Sequence, residues 1–392
     1  MRDYFNTASP VRFVFPIDGD CLNIYDGEMK NGFLTIKVKV QAPAGADIWI
    51  NERKAAHEDG LYTLEVPLKG YSTTIVAENR VNGYQTKITV YMLDGREGCV
   101  NKFRISLDDN ILFLADLTKN KDVYKSMFEN PYLAIYKKAH DLYGAKVHIN
   151  IYYEYCDSAS DRKTFSSPRD YFNLTMMTDK YKPEWEANSD WLKLSFHARS
   201  NTPDRPYLTT SYARIDNDLA LVHKEILRFA GEKTLSSVTT LHWGASNEAG
   251  VHALHNHGYM GLNGYFKLDS KGDTLVSYFY PVDLVEHFDT RDFWVDNDEH
   301  IVYSKVDMVL NSYKLEQVVP ELEAIYSRKH NAGFVELLIH EQYFYPDYVA
   351  YIPKYEEIVL TAAKWLSEHG YTGSHLSEVM FERQGHIDIP RA

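Results

Sequence analysis

Five side chains of the types that carry out metal-assisted hydrolysis stand at the ends of short apolar runs. "FRISLDDN" (103–110) sets Asp108 and Asp109 side by side. "LKLSFH" ends in His197, "TTLHW" carries His242 and "VELLIH" ends in His340. Two like charges at the end of an apolar strand are unfavourable unless water, a cation or a partner compensates them. Carboxylate oxygen and imidazole nitrogen together suit zinc or another divalent transition metal. Such a metal lets a bound water ionise near neutral pH while a neighbouring carboxylate takes the proton. A single histidine at a strand end is ordinarily just a hydrogen-bonded polar residue; the recurrence at several strand ends is what points to a site.

Strand parity shows how these residues would converge. In "FRISLD", Phe103, Ile105 and Leu107 alternate with Arg104, Ser106 and Asp108. In "VHINIYYE", Val147, Ile149 and Ile151 oppose His148, Asn150 and Tyr152; in "LKLSFH", Leu192, Leu194 and Phe196 oppose Lys193, Ser195 and His197. Side chains alternate faces along a strand. In a barrel the apolar parity meets outer helices, and the polar parity lines the interior and emerges at the C-terminal rim, where barrel active sites lie. An antiparallel sheet with one wet face shows the same alternation. Here helical stretches intervene: "PYLAIYKKAHDLYG", "DNDLALVHKEILRFAG", "NEAGVHALHNHG", "LEQVVPELEAIYSRKHNAG" and "PKYEEIVLTAAKWLSEHG". Strand–helix alternation argues for parallel βα units.

At 392 residues the chain is long for one domain. Residues 11–95 read as all-β: "FLTIKVKV", "DIWINER", "LYTLEVPL", "STTIVAEN" and "QTKITVYML" are separated by turn signals such as "APAGAD" and "RVNG". The expected fold is a multi-domain chain: an N-terminal all-β Ig-like sandwich (1–97) and an α/β distorted barrel of seven or eight βα units (98–392). "DGREG" (94–98) is the expected linker, and the pairing of "TLVSYFYPVD" and "KVDMVLNS" is left open.

The formal charge of −13, with no cluster of Lys and Arg, argues against nucleic acid or anionic membrane as a partner. Cys21, Cys99 and Cys156 lie far apart without metal or disulfide spacing, which fits a reducing compartment. No stretch reads as a membrane span, and "MRDYFNTASPVRFVF" lacks a signal peptide's apolar core; the expectation is a cytoplasmic protein, or a secreted one whose leader is absent from this chain. The thirty tyrosines suit sugar stacking and ordinary packing alike.

The ordered set resembles the NodB-homology polysaccharide deacetylases, metal-dependent hydrolases on a distorted (β/α) barrel. The family's Thr-Phe-Asp-Asp-Gly motif is matched by Ser106-Leu107-Asp108-Asp109-Asn110, and its Leu-x-Ile-His motif by Leu337-Leu338-Ile339-His340. "LSFHARS" stands where a His-x-x-x-His metal motif begins. The resemblance implies a divalent metal, zinc foremost, held by Asp109 and His197, with Asp108 as general base and His340 as the acid that protonates the leaving group. It implies removal of N- or O-acetyl groups from a carbohydrate. The alternative is a carbohydrate-binding barrel that has lost the complete metal set; a glycosidase would need two carboxylates facing each other, which adjacent Asp108 and Asp109 do not supply.

The chain departs from the family at position 201, where Asn201 replaces the second histidine of the metal motif. The third ligand is left open between His223, Asp216, Asp218 and His242. His242 and Trp243 replace the family's Arg- and Pro-based motif and are read as substrate contacts, Trp243 as a stacking wall. Asp289-Thr290-Arg291-Asp292-Phe293 only faintly echoes the Asp-x-x-Asp-Trp motif. Arg205 and Tyr207 in "PDRPY" either reach over the pocket or belong to a rigid loop. In "HEQYFYPDY", Tyr343 faces substrate, or joins Glu341 and Tyr345 in a network behind His340. Glu154 is a further possible contact. His252, His255 and His257 in "HALHNHG" read as packing or surface residues.

Overall fold

A computed structural model describes residues 2–92, 101–155 and 164–379 of the chain. The expected linker at 94–98, Cys99 and Cys156 lie outside the described residues.

The N-terminal part follows its period-two pattern. In the strand Phe33–Gln41, Leu34, Ile36, Val38 and Val40 are fully buried while Lys37 and Lys39 face water. A slip of one residue would exchange the two sets, so the pattern specifies the register. Two five-stranded sheets result. One is built around Phe33–Gln41 and Leu61–Pro67, the other around Ser72–Asn79 and Tyr84–Met92. Their apolar faces share one core, including Leu34, Ile36, Val38, Ile48, Ile75 and Val90. This is more strands than the apolar runs announced, because pieces such as Cys21–Leu22 and Arg53–Lys54 are too short to show a period.

From residue 102 the architecture is α/β. β1 (Lys102–Asn110) pairs in parallel with β2 (Val147–Tyr152), and β2 with β3 (Leu192–Ala198). Leu194 of β3 bridges to Leu235, just ahead of β4 (Val238–Thr239). β4 pairs with β5 (Gly261–Gly264), and β5 with β6 (Ile301–Lys305). The chain runs straight on into β7 (Met308–Val309), which pairs with β8 (Phe334–His340), and β8 pairs with β1. The parallel pairings form two sheets, one around β1 and one around β5, linked by the Leu194–Leu235 bridge and by the chain running from β6 into β7. Phe293–Asp296 adds an antiparallel strand to β6. Of the two runs left open in the sequence, "TLVSYFYPVD" contributes Thr274–Leu275, antiparallel to Lys267–Leu268, and "KVDMVLNS" contributes β7, parallel to β8.

Helices α1 (Leu112–Lys119), α2 (Pro131–Tyr143), α3 (Lys182–Ala187), α4 (Tyr212–Phe229), α5 (Glu248–Asn256), α6 (Val282–Phe288), α7 (Leu315–Ser327) and α8 (Tyr355–Glu368) lie between and after the strands. α2 shows why its sequence stops and starts where it does. The Asn130 side chain accepts the N–H groups of Tyr132 and Leu133, Pro131 takes the first helical position, and Gly144 closes the helix at φ +67°.

The polar parity of the first strands points inward, as expected. Arg104, Ser106, Asp108, His148, Asn150, Ser195 and His197 are all buried. Arg104 Nε donates to both Glu336 carboxylate oxygens at 3.1 Å, and its Nη1 stands 2.5 Å from His148 Nδ1. A guanidinium only donates, so His148 Nδ1 accepts and its Nε2–H faces Ser195 Oγ at 2.8 Å. Ser195 Oγ donates to Asn150 Oδ1 at 2.6 Å, and Asn150 Nδ2 donates to Asp108 Oδ1 at 2.6 Å. A continuous buried hydrogen-bond chain therefore runs from the Arg104–Glu336 pair to the carboxylate at the rim.

The N-terminal sheets dock on the strand Phe293–Asp296 and its surroundings. Asp20 bridges Trp294 and receives His287 Nε2 at 2.5 Å, and Arg291 donates to Asp26 at 2.6 Å. Among the described residues, no helix is long and apolar enough to cross a membrane.

Candidate metal centre

Local backbone distortion brings Asp109 to the same side as Asp108. Alternation along a regular strand would send Asp109 to the face opposite Asp108. Instead β1 continues to Asn110, its register against β2 shifts between Leu107 and Asn110, and Asp109 takes φ +63°. A bulge of this kind re-aims one side chain, and the left-handed conformation costs roughly 1–2 kcal/mol at a non-glycine residue. A second distorted turn carries His242. β4 ends at Thr239, and His242 sits beyond it in a short 3-10 turn with Trp243 at φ +61° and Gly244 at φ +50°. A Cβ on Gly244 would lie 2.4 Å from Val276 Cγ1, so only glycine fits there.

The two turns, with the end of β3, bring three donor atoms together. Asp109 Oδ1 lies 3.1 Å from His197 Nε2 and 3.2 Å from His242 Nδ1, and the two nitrogens are 3.2 Å apart. Donors about 2.0–2.2 Å from a tetrahedral zinc stand roughly 3.3–3.5 Å from one another, close to this triangle. The partners behind the rings sharpen the argument. His197 Nδ1 is 2.5 Å from the Thr240 carbonyl oxygen and His242 Nε2 is 3.2 Å from that of Asn201. A carbonyl only accepts, so each of those nitrogens carries the proton and the other ring nitrogen presents a lone pair. Two imidazole lone pairs and a carboxylate oxygen then converge, an arrangement that repels itself without a cation. Burial pushes the His197 pKa down, which disfavours the imidazolium that would otherwise relieve it. Gln342 Nε2 donates to Asp109 Oδ2 at 2.8 Å and steadies the carboxylate from behind.

Asp108 and His340 complete the centre from adjacent strands, where they are register partners. Burial and then the charge of Asp109 raise the Asp108 pKa well above the ordinary carboxylate value. His340 Nδ1 stands 2.8 Å from the Asn311 side-chain oxygen, so its Nε2 is the nitrogen left to act. Burial also lowers the His340 pKa.

These residues share a cavity of about 450 Å³. Trp243, Tyr343 and Tyr348 are among its walls, with Val276, Val309 and Leu338 supplying apolar surface. Arg205 lies outside the lining, its guanidinium 5.8 Å from the Trp243 ring centre. Tyr207 does not face the cavity. It is fully buried, receives the Arg199 N–H at 3.0 Å and donates to Asp218 at 3.2 Å, so it belongs to the loop's packing.

Of the open third-ligand candidates, the structure brings in His242, which had been read as a substrate contact. α4 starts at Tyr212, earlier than the sequence suggested, so His223 lies roughly 16 Å along the helix axis from its start. Its Nε2 bonds Tyr259 OH at 2.8 Å. Asp216 pairs with His257 at 2.8 Å, while Asp218 holds Tyr207 and Arg199. Neither caps the helix; Ser211 does. Glu154 binds Arg199 at 2.8 Å. His252 pairs with Glu299 at 2.5 Å. Asp289 pairs with Lys305, and Asp292 accepts the N–H groups of Gly333 and Phe334. None of these acidic groups lines the cavity. Glu341 caps α1, accepting from the N–H groups of Ile111, Leu112 and Phe113 at 2.7, 2.9 and 2.6 Å, with Tyr345 OH at 2.8 Å. Burial still pushes its carboxyl up to about 7.

Tyr152, Asn150 and Gln342 also serve the centre and were missed as site residues. The first two were visible as members of the inward parity of β2. Gln342 carried no signal, because nothing local aims it at Asp109.

No protein-family profile matches the chain, and no curated protein matches its sequence. Among solved structures it is similar to the wild-type CE4 family pseudoenzyme from Bacillus anthracis, at 10% identity and a TM-score of 0.35, covering 86% of this chain and 90% of that one. The same values of identity, TM-score and coverage of this chain hold for two mutants of that pseudoenzyme, one of them with restored enzymatic activity; 92% and 93% of those chains are covered.

Proposed function

We propose that the protein is a metal-dependent hydrolase that removes acetyl groups from a carbohydrate, on an irregular barrel preceded by an Ig-like sandwich. The observation that carries the reading is the convergence of Asp109, His197 and His242 lone pairs beside a second carboxylate and a histidine in one cavity. A divalent ion held by those three residues would supply Lewis acidity toward a carbonyl oxygen. The chain's own groups do the rest. Asp108, fixed through Oδ1 by Asn150, takes the proton of the attacking water. His340, fixed through Nδ1 by Asn311, delivers a proton from Nε2 to the departing nitrogen or oxygen. Trp243, nearly half exposed at the mouth, offers a flat face to a sugar ring.

The test is metal analysis of the purified chain followed by acetate release from N- and O-acetylated oligosaccharides. Stoichiometric metal with acetate release supports the reading; a chain that binds no divalent metal sinks it. A second reading has its own observation. Asn201 stands in the place of the family's second histidine, so the metal set is assembled differently here. A non-catalytic carbohydrate-binding barrel fits that fact, and a glycan-binding screen showing affinity without turnover would select it.

A further inference from the structure

Asp109 holds a left-handed backbone inside a strand, and something must impose it. The residue stands at φ +63°, where β1 slips in register against β2 between Leu107 and Asn110. Such a conformation is unfavourable at a non-glycine residue and persists only where the surroundings over-determine it. On the β2 side the anchor is Asn110. Its Nδ2 donates to the Asn150 carbonyl oxygen at 3.2 Å, and its Oδ1 accepts from Tyr132 OH at 2.9 Å. On the β8 side the anchor is the 3-10 turn Glu341–Phe344, which directly follows His340.

Glu341 is fully buried, and its carboxylate accepts the backbone N–H groups of the segment that leaves the bulge. Oε2 takes Ile111 at 2.7 Å and Leu112 at 2.9 Å, while Oε1 takes Phe113 at 2.6 Å and Tyr345 OH at 2.8 Å. A helix cap ordinarily satisfies the amides at the second or third helical position. α1 starts at Leu112, so Ile111 lies ahead of it, in the link from Asp109 into the helix. The Ile111 bond therefore does more than cap a helix; it fixes the Asn110–Ile111 peptide beside the bulge. The neighbouring Gln342 donates from Nε2 to Asp109 Oδ2 at 2.8 Å. One turn thus grips both the backbone after the bulge and the side chain that the bulge re-aims. Because Asp108 and His340 are register partners, the same turn also sets the end of β8 against the end of β1.

We propose that Glu341 is a positioning residue for the metal centre: by holding the Ile111, Leu112 and Phe113 amides it imposes the left-handed turn that aims Asp109 at His197 and His242. This rests on the reading that those three residues bind a divalent ion. Without the carboxylate, the Ile111 N–H loses its buried acceptor and β1 relaxes toward regular alternation. Asp109 Oδ1 then leaves the triangle it makes with the two imidazole nitrogens. Glu341 itself touches neither ion nor substrate.

The test is the affinity of the metal-free full chain for zinc and cobalt(II), with circular dichroism confirming that each variant is folded. Glu341→Ala is expected to bind about 10–100-fold more weakly. The visible spectrum of bound cobalt(II), which follows the number and geometry of its ligands, should change with it. Glu341→Gln keeps the reach with one accepting oxygen in place of two, and its affinity should fall between those of Glu341→Ala and wild type. Leu366→Ala is the control: it truncates a buried side chain in α8 and destabilises the same domain away from the bulge, so the folded variant should bind as wild type does. Wild-type affinity in folded Glu341→Ala, or an equal loss in Leu366→Ala, overturns the role of Glu341 and leaves the metal centre standing. Should Glu341→Ala fail to fold, Glu341→Gln decides, since wild-type affinity there overturns the role as well. A wild-type chain that binds neither ion overturns the metal reading, and this role with it.

Discussion

Asp109 Oδ1 and His242 Nδ1, far apart in sequence, meet at 3.2 Å because each sits on a left-handed or sharply turned backbone at the rim. On the proposed reading His242 takes the place of third ligand, where Asn201 stands at the position of the family motif's second histidine. His242→Ala and Asp109→Ala are each expected to weaken zinc binding by more than about a hundredfold. His223→Ala leaves it unchanged, since that ring is engaged with Tyr259. Equilibrium dialysis with metal analysis decides; wild-type affinity in His242→Ala would reject the assignment.

Asp108→Asn separates proton transfer from metal retention. The amide preserves an oxygen for Asn150 and leaves the three donors in place. Zinc content should be retained while acetate release falls by about 10²–10⁴. Loss of metal and activity together would make Asp108 a holding residue instead of a base.

The Arg104–Glu336 pair is 1% and 0% exposed and stands at the far end of the chain that reaches Asp108. Glu336→Gln leaves a buried guanidinium without its counter-charge, a change expected to cost about 3–5 kcal/mol. Denaturant unfolding measures it, and a loss below about 1 kcal/mol would show that the pair's surroundings already neutralise Arg104.

Asp307 makes the protein's stability fall as pH rises. Burial outweighs the attraction of Lys305 and raises its carboxyl from 3.8 to about 7. Between those values the folded chain binds a proton that the unfolded chain has lost, so raising the pH removes stability at up to about 1.4 kcal/mol per unit. Below the unfolded value both states are protonated and the contribution is complete. Asp307→Asn should therefore be more stable than wild type near pH 8, with the difference shrinking toward pH 4. Unfolding curves measured across that range check it; parallel profiles would contradict it.

Tyr207→Phe tests the reassignment of that residue to packing. The substitution leaves Asp218 without the phenol donor and should cost about 1–3 kcal/mol of stability. Oligosaccharide affinity should stay within twofold of wild type. A stable variant with weakened binding would return Tyr207 to the cavity.

What could be read from the sequence was what depends on near neighbours. The alternation of Arg104, Ser106 and Asp108 with Phe103, Ile105 and Leu107 is a property of any extended strand, so the inward polar face was legible without knowing the fold. The helix over "PYLAIYKKAHDLY" was legible from Pro131, Gly144 and its apolar stripe. His197 and His340 follow from the same logic, since each ends or nearly ends a strand. The tertiary structure decided what depends on backbone departing from those regular paths. Asp109 points inward through a left-handed residue inside a strand, and His242 reaches the centre from a turn beyond β4. Such conformations are unfavourable locally and persist only where surrounding packing over-determines them, as Val276 does against Gly244. Period and propensity cannot announce them. The place of His242 beside Asp109 and His197, and of Tyr152 beside it, became visible only once three strands and a turn had been brought within 3.2 Å of one another.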